Sequence, residues 1–209
     1  GDNVITADVT FPPYKTNASI EGAEVIEVPL KGGTHDLAAM AAAVTEATKI
    51  VWVCNPNNPT GTIVSAHEVN EFMQRIPSSV LVVMDEAYYE YVMDPNYPDT
   101  LSLLANYPNL IVLRTFSKIY GLAALRVGYG ICSPAIVTEL NRVGEPFNVN
   151  DLAQRGAQLA LQDQSFVQEC QRKNSDGLKQ LTTAFDRLGL RYFPSQSNFV
   201  FVETGVPAS

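Results

Sequence analysis

A chain of 209 residues is long enough to bury one sizeable core, or one core and the start of a second. Hydrophobic residues make up 46% and charged residues 17%, the balance of a globular chain rather than a disordered or fibrous one. The formal net charge of −8, with 14 Lys and Arg, argues against a nucleic-acid or anionic-membrane partner, since both demand concentrated positive charge. A small anionic substrate stays open, because a few well-placed cations can hold one.

The chain starts Gly1-Asp2-Asn3-Val4 with no methionine and runs directly into apolar residues, as expected of a piece of a longer protein. Short runs rich in Val, Ile and Leu follow at residues 25–28, 50–53, 80–84, 110–113 and 128–132. Each is bounded by turn residues, the pattern of strands buried on both faces of a mostly parallel sheet. Between them lie helix candidates. Asp36 can cap a helix over residues 37–47, with Leu37, Met40, Ala41 and Val44 on one face. Ser65 followed by Glu68 forms a capping box ahead of Val69, Phe72, Met73 and Ile76. After Asn150 the spacing predicts helices over residues 151–162 and 166–188, the second closed by Gly189. Short strands are expected around residues 191–193 and 198–202. The fold class that follows is α/β, a mostly parallel sheet with helices on both faces, plus the beginning of a small α+β domain. Residues 1–170 are assigned to the large domain and 171–209 to the start of the small one.

Cys54, Cys132 and Cys170 are odd in number and widely spaced, which fits free thiols in a reducing compartment. No apolar run approaches the roughly 20 residues of a membrane span. The cytoplasm is the expected location, and no membrane partner is expected.

Four signals carry chemistry, and each follows an expected strand. Ligands of open α/β sheets gather at the carboxyl ends of the strands, so the four should share one crevice. The first is Asn55-Pro56-Asn57-Asn58-Pro59-Thr60-Gly61, which taken alone is also an ordinary turn sequence. The second is Asp85-Glu86-Ala87-Tyr88. Alternation puts Leu81, Val83 and Asp85 on one side, where a carboxylate is costly without a cationic partner. The third is Thr115-Phe116-Ser117-Lys118. The fourth is Arg126, ahead of Gly128-Tyr129-Gly130. A lone loop lysine is normally a solvated charge, but two hydroxyls beside it and an arginine downstream suit an anion such as phosphate.

In these motifs, together with Pro146-Phe147-Asn148-Val149-Asn150 and Pro194-Ser195-Gln196-Ser197-Asn198-Phe199, the chain resembles the fold-type I aminotransferases of class I and II, and within them the histidinol-phosphate branch. The resemblance covers essentially all of the chain. It implies a pyridoxal-5′-phosphate (PLP) enzyme in which Lys118 carries the cofactor and shuttles protons. Asp85 would pair with the ring nitrogen, while Tyr88 and Asn58 bond the phenolic oxygen. Thr115, Ser117 and Arg126 would hold the phosphate, and Phe11 would stack on the ring, although plain core packing also explains that residue. The resemblance further implies a homodimer and the substrates of transamination, an amino donor such as histidinol phosphate and a 2-oxo acid such as 2-oxoglutarate. A glycine-led phosphate loop and a cross-subunit tyrosine upstream, and a carboxylate-binding arginine downstream, have no counterpart in residues 1–209. The isolated piece is therefore expected to be inactive.

An aromatic amino-acid aminotransferase or a phospho-threonine decarboxylase of similar sequence would share every one of these motifs. An aminotransferase-like sensor domain of a transcription regulator is the alternative outside enzymes, and it would carry a helix-turn-helix upstream. His35 and His67 lie beside helix caps without metal-ligand spacing. Glu86 reads as a structural or solvated carboxylate and Trp52 as core.

Overall fold

A computed structural model describes residues 1–206. Six strands, β1 (Asn3–Ala7), β2 (Glu24–Val28), β3 (Thr48–Cys54), β4 (Leu81–Asp85), β5 (Leu110–Thr115) and β6 (Gly128–Cys132), form one sheet in the order β2-β1-β3-β4-β5-β6. Every pairing is parallel except β5 with β6, which is antiparallel. The five strands expected from composition are all present. β1 was not anticipated, because only Val4 and Ile5 of its five residues are strongly apolar strand formers. Yet it is buried along its whole length and lies between β2 and β3.

Alternation of side chains divides the sheet into two faces. Ile5, Val51, Val53, Val82, Met84, Leu110 and Val112 point to one face and pack with α2 (Leu37–Ala42) and α3 (Ala66–Arg75) in the main core. The opposite face carries Ile50, Trp52, Cys54, Leu81, Val83 and Asp85, since Trp52 pairs with Val83 and Cys54 with Asp85. Part of that face is covered by α1 (Pro13–Ile20), whose single buried residue is Tyr14. This helix went unpredicted because Lys15-Thr16-Asn17-Ala18-Ser19 has no apolar stripe.

Both expected caps are in place. The Asp36 carboxylate accepts from the Ala39 amide at 3.0 Å, and Ser65 and Glu68 form the reciprocal box. α2 stops at Ala42 rather than residue 47, because the Thr45 amide donates to Thr48 Oγ1 at 2.9 Å and the chain turns there into β3. Shorter elements are α4 (Thr100–Leu103) and α5 (Pro134–Val143), followed by α6 (Asp151–Gln162) and α7 (Gln164–Leu188). α6 has the expected bounds. α7 begins two residues early because Asp163 caps it, accepting from the Phe166 amide at 3.1 Å. α7 runs unbroken past residue 170 and ends at Gly189, whose φ is 65°. A second cluster joins Phe116, Ile119, Tyr120 and Val127 to Ala153, Ala157 and Val167, seating α6 and α7 against the loop that follows β5.

β7 (Arg191–Tyr192) and β8 (Val202–Glu203) pair antiparallel in a separate ribbon. The strand expected over residues 198–202 is confined to its far end. Its earlier residues serve another contact, Phe199 meeting the Tyr88 ring edge-on at 5.1 Å. Among the described residues no helix is long and apolar enough to cross a membrane, and no cluster of His, Cys, Asp and Glu could hold a metal ion.

Candidate active site

The loop after β3 is fastened first. Asn55 donates its amide to the Asp85 carbonyl at 2.9 Å. Asn57 accepts from Thr10 Oγ1 at 2.7 Å, and its side-chain amide donates to Thr60 Oγ1 at 2.9 Å. Gly61 takes φ 74°, and a side chain there would collide with Ser195. That position therefore needs glycine both for its backbone angle and for the close approach of the returning chain. The Gln196 amide donates to the Gly61 carbonyl at 2.8 Å. Asn58 sits half-buried in this loop.

Asp85 ends β4. Its Oδ2 accepts from the Tyr14 hydroxyl at 2.6 Å and its Oδ1 from the Ala87 amide at 3.1 Å. Burial pushes the carboxyl up, while Tyr14, Ala87 and the charge of Lys118 pull it back down. Both direct donors are neutral, so the only positive charge that lowers it acts from a distance. Tyr88 is 5% exposed, and the Lys118 amine lies 5.1 Å from its ring centroid, within range of a cation–π attraction. Phe11 stays 39% exposed and meets Tyr14 edge-on at 5.5 Å. Tyr14 in turn stacks on Trp52 at 4.6 Å. Phe11, Tyr14, Trp52, Asp85 and Leu113 line a cavity of about 690 Å³ on this face of the sheet. Beside it, burial pushes the Cys54 thiol up to about 12, so this cysteine stays protonated and inert.

At the end of β5, Thr115 Oγ1 accepts from the Ser117 amide at 3.0 Å, bringing the two hydroxyl residues together. Arg126 comes near through the backbone. Thr115 pairs with Gly128, and the Phe116 amide donates to the Val127 carbonyl at 3.2 Å. The Arg126 backbone is left-handed at φ 53°, a conformation that costs a non-glycine residue energy. Its exposed guanidinium donates to the Ala123 carbonyl at 2.6 Å rather than to Thr115 or Ser117. Contacts thus link Phe11 to Asp85 through Tyr14 and Lys118 to Tyr88, and the charge of Lys118 reaches Asp85 without a direct contact. Thr115 and Ser117 meet at the neighbouring strand end, and Arg126 approaches by its main chain alone.

One reading of a single residue is corrected: Trp52 is not core but lines the cavity beside Asp85. Of the two readings open for Glu86 the structural one holds, since it is 0% exposed and paired with Arg114 at 2.8 Å. Tyr14 was missed altogether. The available signal was Pro12-Pro13 starting a helix, which sets Tyr14 in its first turn, three residues after Phe11.

The sequence profile described as aminotransferase class I and II matches residues 1–209. Curated relatives include histidinol-phosphate aminotransferases of Brevibacillus brevis, 60% identical over 97% of this chain and 56% of its own length, and of Bacillus velezensis, 54% identical over 99% and 58%. The chain therefore spans little more than half the length of these relatives. A solved structure of histidinol-phosphate aminotransferase from Sinorhizobium meliloti, in complex with pyridoxal-5′-phosphate, superposes with a TM-score of 0.92 at 32% identity, covering 99% of this chain and 56% of that one. The match runs over the whole chain, and the chain belongs to the class I and II aminotransferases.

Proposed function

We propose that the enzyme of which this chain forms part is a PLP-dependent aminotransferase acting on histidinol phosphate, with 2-oxoglutarate as the amino acceptor. The observation that carries the reading is a largely buried carboxylate, Asp85, at the wall of an aromatic-lined cavity, within reach of the charge of an amine, Lys118, that follows the adjacent strand. The choice of substrate rests on the relatives at 50–60% identity that bear the histidinol-phosphate name.

The residues fit the cofactor. Asp85 is raised by burial and has only neutral direct donors, so a protonated ring nitrogen would supply the close cation it lacks. Phe11 presents a partly exposed ring at the cavity wall. Tyr88 and Asn58 offer donors for the phenolic oxygen, and Thr115, Ser117 and Arg126 offer a hydroxyl and guanidinium set for phosphate. When bound, PLP supplies an electron-withdrawing ring conjugated to the substrate's nitrogen. Lys118 would hold the cofactor through Nζ, and the same amine would move the proton at the reacting carbon. Asp85 keeps the ring nitrogen protonated, and Tyr88 stands against the Lys118 amine.

On the same reading, residues 171–209 begin a second, smaller domain, with α7 as the shared helix. The enzyme works as a homodimer in the cytoplasm.

Reduction of the cofactor-loaded enzyme with borohydride, followed by peptide mapping, tests the site. The label is expected on Lys118, and a label on Lys49 or Lys173 overturns the assignment. Steady-state turnover of histidinol phosphate with 2-oxoglutarate, set against aromatic amino acids and phospho-threonine, tests the substrate.

A further inference from the structure

Behind the cavity lies a charged cluster that the chemistry above does not use. Asp85 pairs with Leu113 across β4 and β5, and both line the cavity. Alternation sends the next residue of each strand, Glu86 and Arg114, to the other side, where the two side chains meet. Glu86 Oε2 accepts from Arg114 Nε at 2.9 Å and Nη2 at 2.8 Å, both arms of the guanidinium fork converging on one oxygen as charge-assisted bonds. Oε1 accepts from Thr100 Oγ1 at 2.5 Å, which brings in α4. Tyr97 lies 3.3 Å from the same oxygen, but its one hydroxyl proton goes to the Asn55 carbonyl at 2.5 Å, at the start of the loop after β3. The Arg114 guanidinium rests 3.6 Å from the centroid of the Tyr89 ring. Burial pushes Glu86 up, and Thr100 and Arg114 pull it back. Burial would lower Arg114, yet the charge of Glu86 raises it. The two charge-assisted bonds from Arg114 favour the ionised carboxylate.

A buried ion pair adds little net stability over well-packed apolar residues, so stability alone does not account for one at this place. We propose that Glu86 is a positioning residue for transamination. Through Arg114 it locks the end of β4 to the end of β5, and it thereby sets the separation of Asp85 and Lys118. Glu86 is one residue beyond Asp85, and Arg114 is the strand residue immediately before Thr115-Phe116-Ser117-Lys118. A slip between the two strand ends would therefore move the ring partner relative to the amine. The proposal rests on the assignment of Lys118 and Asp85 above.

The test uses the complete enzyme loaded with PLP. Glu86→Gln keeps the acceptor for Thr100 and removes the charge that orients Arg114. Arg114→Lys keeps the charge and removes the fork, and Thr100→Val removes a single hydrogen bond. Expected for Glu86→Gln is a fall in kcat on the order of tenfold to a hundredfold, the cost of a misplacement near 1 Å. KM for histidinol phosphate should change far less. The pH midpoint of the cofactor's visible absorbance should shift, because its ring and amine partners have moved. Arg114→Lys should show the same pattern, and Thr100→Val a weaker version. A folded Glu86→Gln enzyme with full cofactor content, wild-type kcat and an unmoved midpoint overturns the proposal, even if its melting temperature has dropped. Should Glu86→Gln not fold, wild-type kcat and midpoint in both other variants overturn it equally. Wild-type enzyme that takes up no PLP would instead remove the underlying assignment, and this is read before any variant is made.

Discussion

Tyr14 shows how one side chain can govern a buried charge. Its hydroxyl gives Asp85 the shorter of its two direct hydrogen bonds, at 2.6 Å, and its ring is clamped between Phe11 and Trp52. Tyr14→Phe keeps the ring stack and deletes the donor. Asp85, already raised by burial, then rises further and becomes a poorer partner for a protonated ring nitrogen. A hydrogen bond to a charged group contributes about 1.5–3 kcal/mol, so kcat should fall at least about tenfold. Cofactor content should stay near normal, since the phosphate donors are untouched. Steady-state kinetics beside cofactor absorbance checks this, and unchanged kcat would mean that the Ala87 amide alone holds Asp85. The placement of Asp85 and Lys118 at the ends of neighbouring strands was legible in the sequence, because each sits in a motif whose residues are close along the chain. Tyr14 was not, because its partner lies 71 positions away and its own helix is polar.

At the scale of elements, local chemistry was readable and tertiary intrusion was not. α3 could be placed from five residues, since Ser65, Glu68 and the apolar positions at 69, 72 and 73 state both its start and its buried face. The box is complete: Glu68 accepts from the Ser65 amide at 2.7 Å, and the Glu68 amide donates to Ser65 Oγ at 3.3 Å. Ser65→Ala should therefore lower unfolding free energy by about 1 kcal/mol, read as a shift in the urea midpoint at constant slope. No shift would mean that packing of Val69, Phe72 and Met73 holds the helix start without its cap. By contrast, the early end of α2 depends on a threonine pair that turns the chain into β3. The shortening of the last strand depends on Tyr88 claiming Phe199. Thr48 is itself anchored by Asn3 of β1 at 2.7 Å and Phe199 by a ring far back in the chain, and no periodicity in residues 37–47 or 198–202 records either.

Across the whole molecule, opposing buried groups shape how the fold responds to pH. His35 is 4% exposed and links the chain ahead of α2 to the loop after β3, its Nε2 standing 3.1 Å from Asn57 Oδ1. Asn57 Oδ1 can only accept, so Nε2 carries a proton and donates. Burial lowers its pKa to about 4, against 6.5 for a free side chain. Between those values the unfolded chain binds a proton that the folded one refuses. The contribution of His35 is therefore complete above pH 6.5 and is lost as pH falls toward 4. Glu90 works the other way. Burial raises it to about 7 from an ordinary 4.5, so the folded chain takes up its proton first and acidification through that window favours folding. The two slopes offset each other, and a simple stability-versus-pH curve would conceal both. A difference measurement separates them. His35→Gln retains an amide donor for Asn57 and cannot titrate, while Glu90 stays the same in both proteins. Whatever the stability gap between wild type and His35→Gln at pH 7, it should move by about 2 kcal/mol in the variant's favour at pH 5, since 1.5 pH units below 6.5 correspond to about 1.36 kcal/mol each. Chemical denaturation at the two pH values reads the gap directly. A gap that stays constant would show that His35 gains a proton in the folded state, through an opening of the loop that carries Asn57 and Asn58.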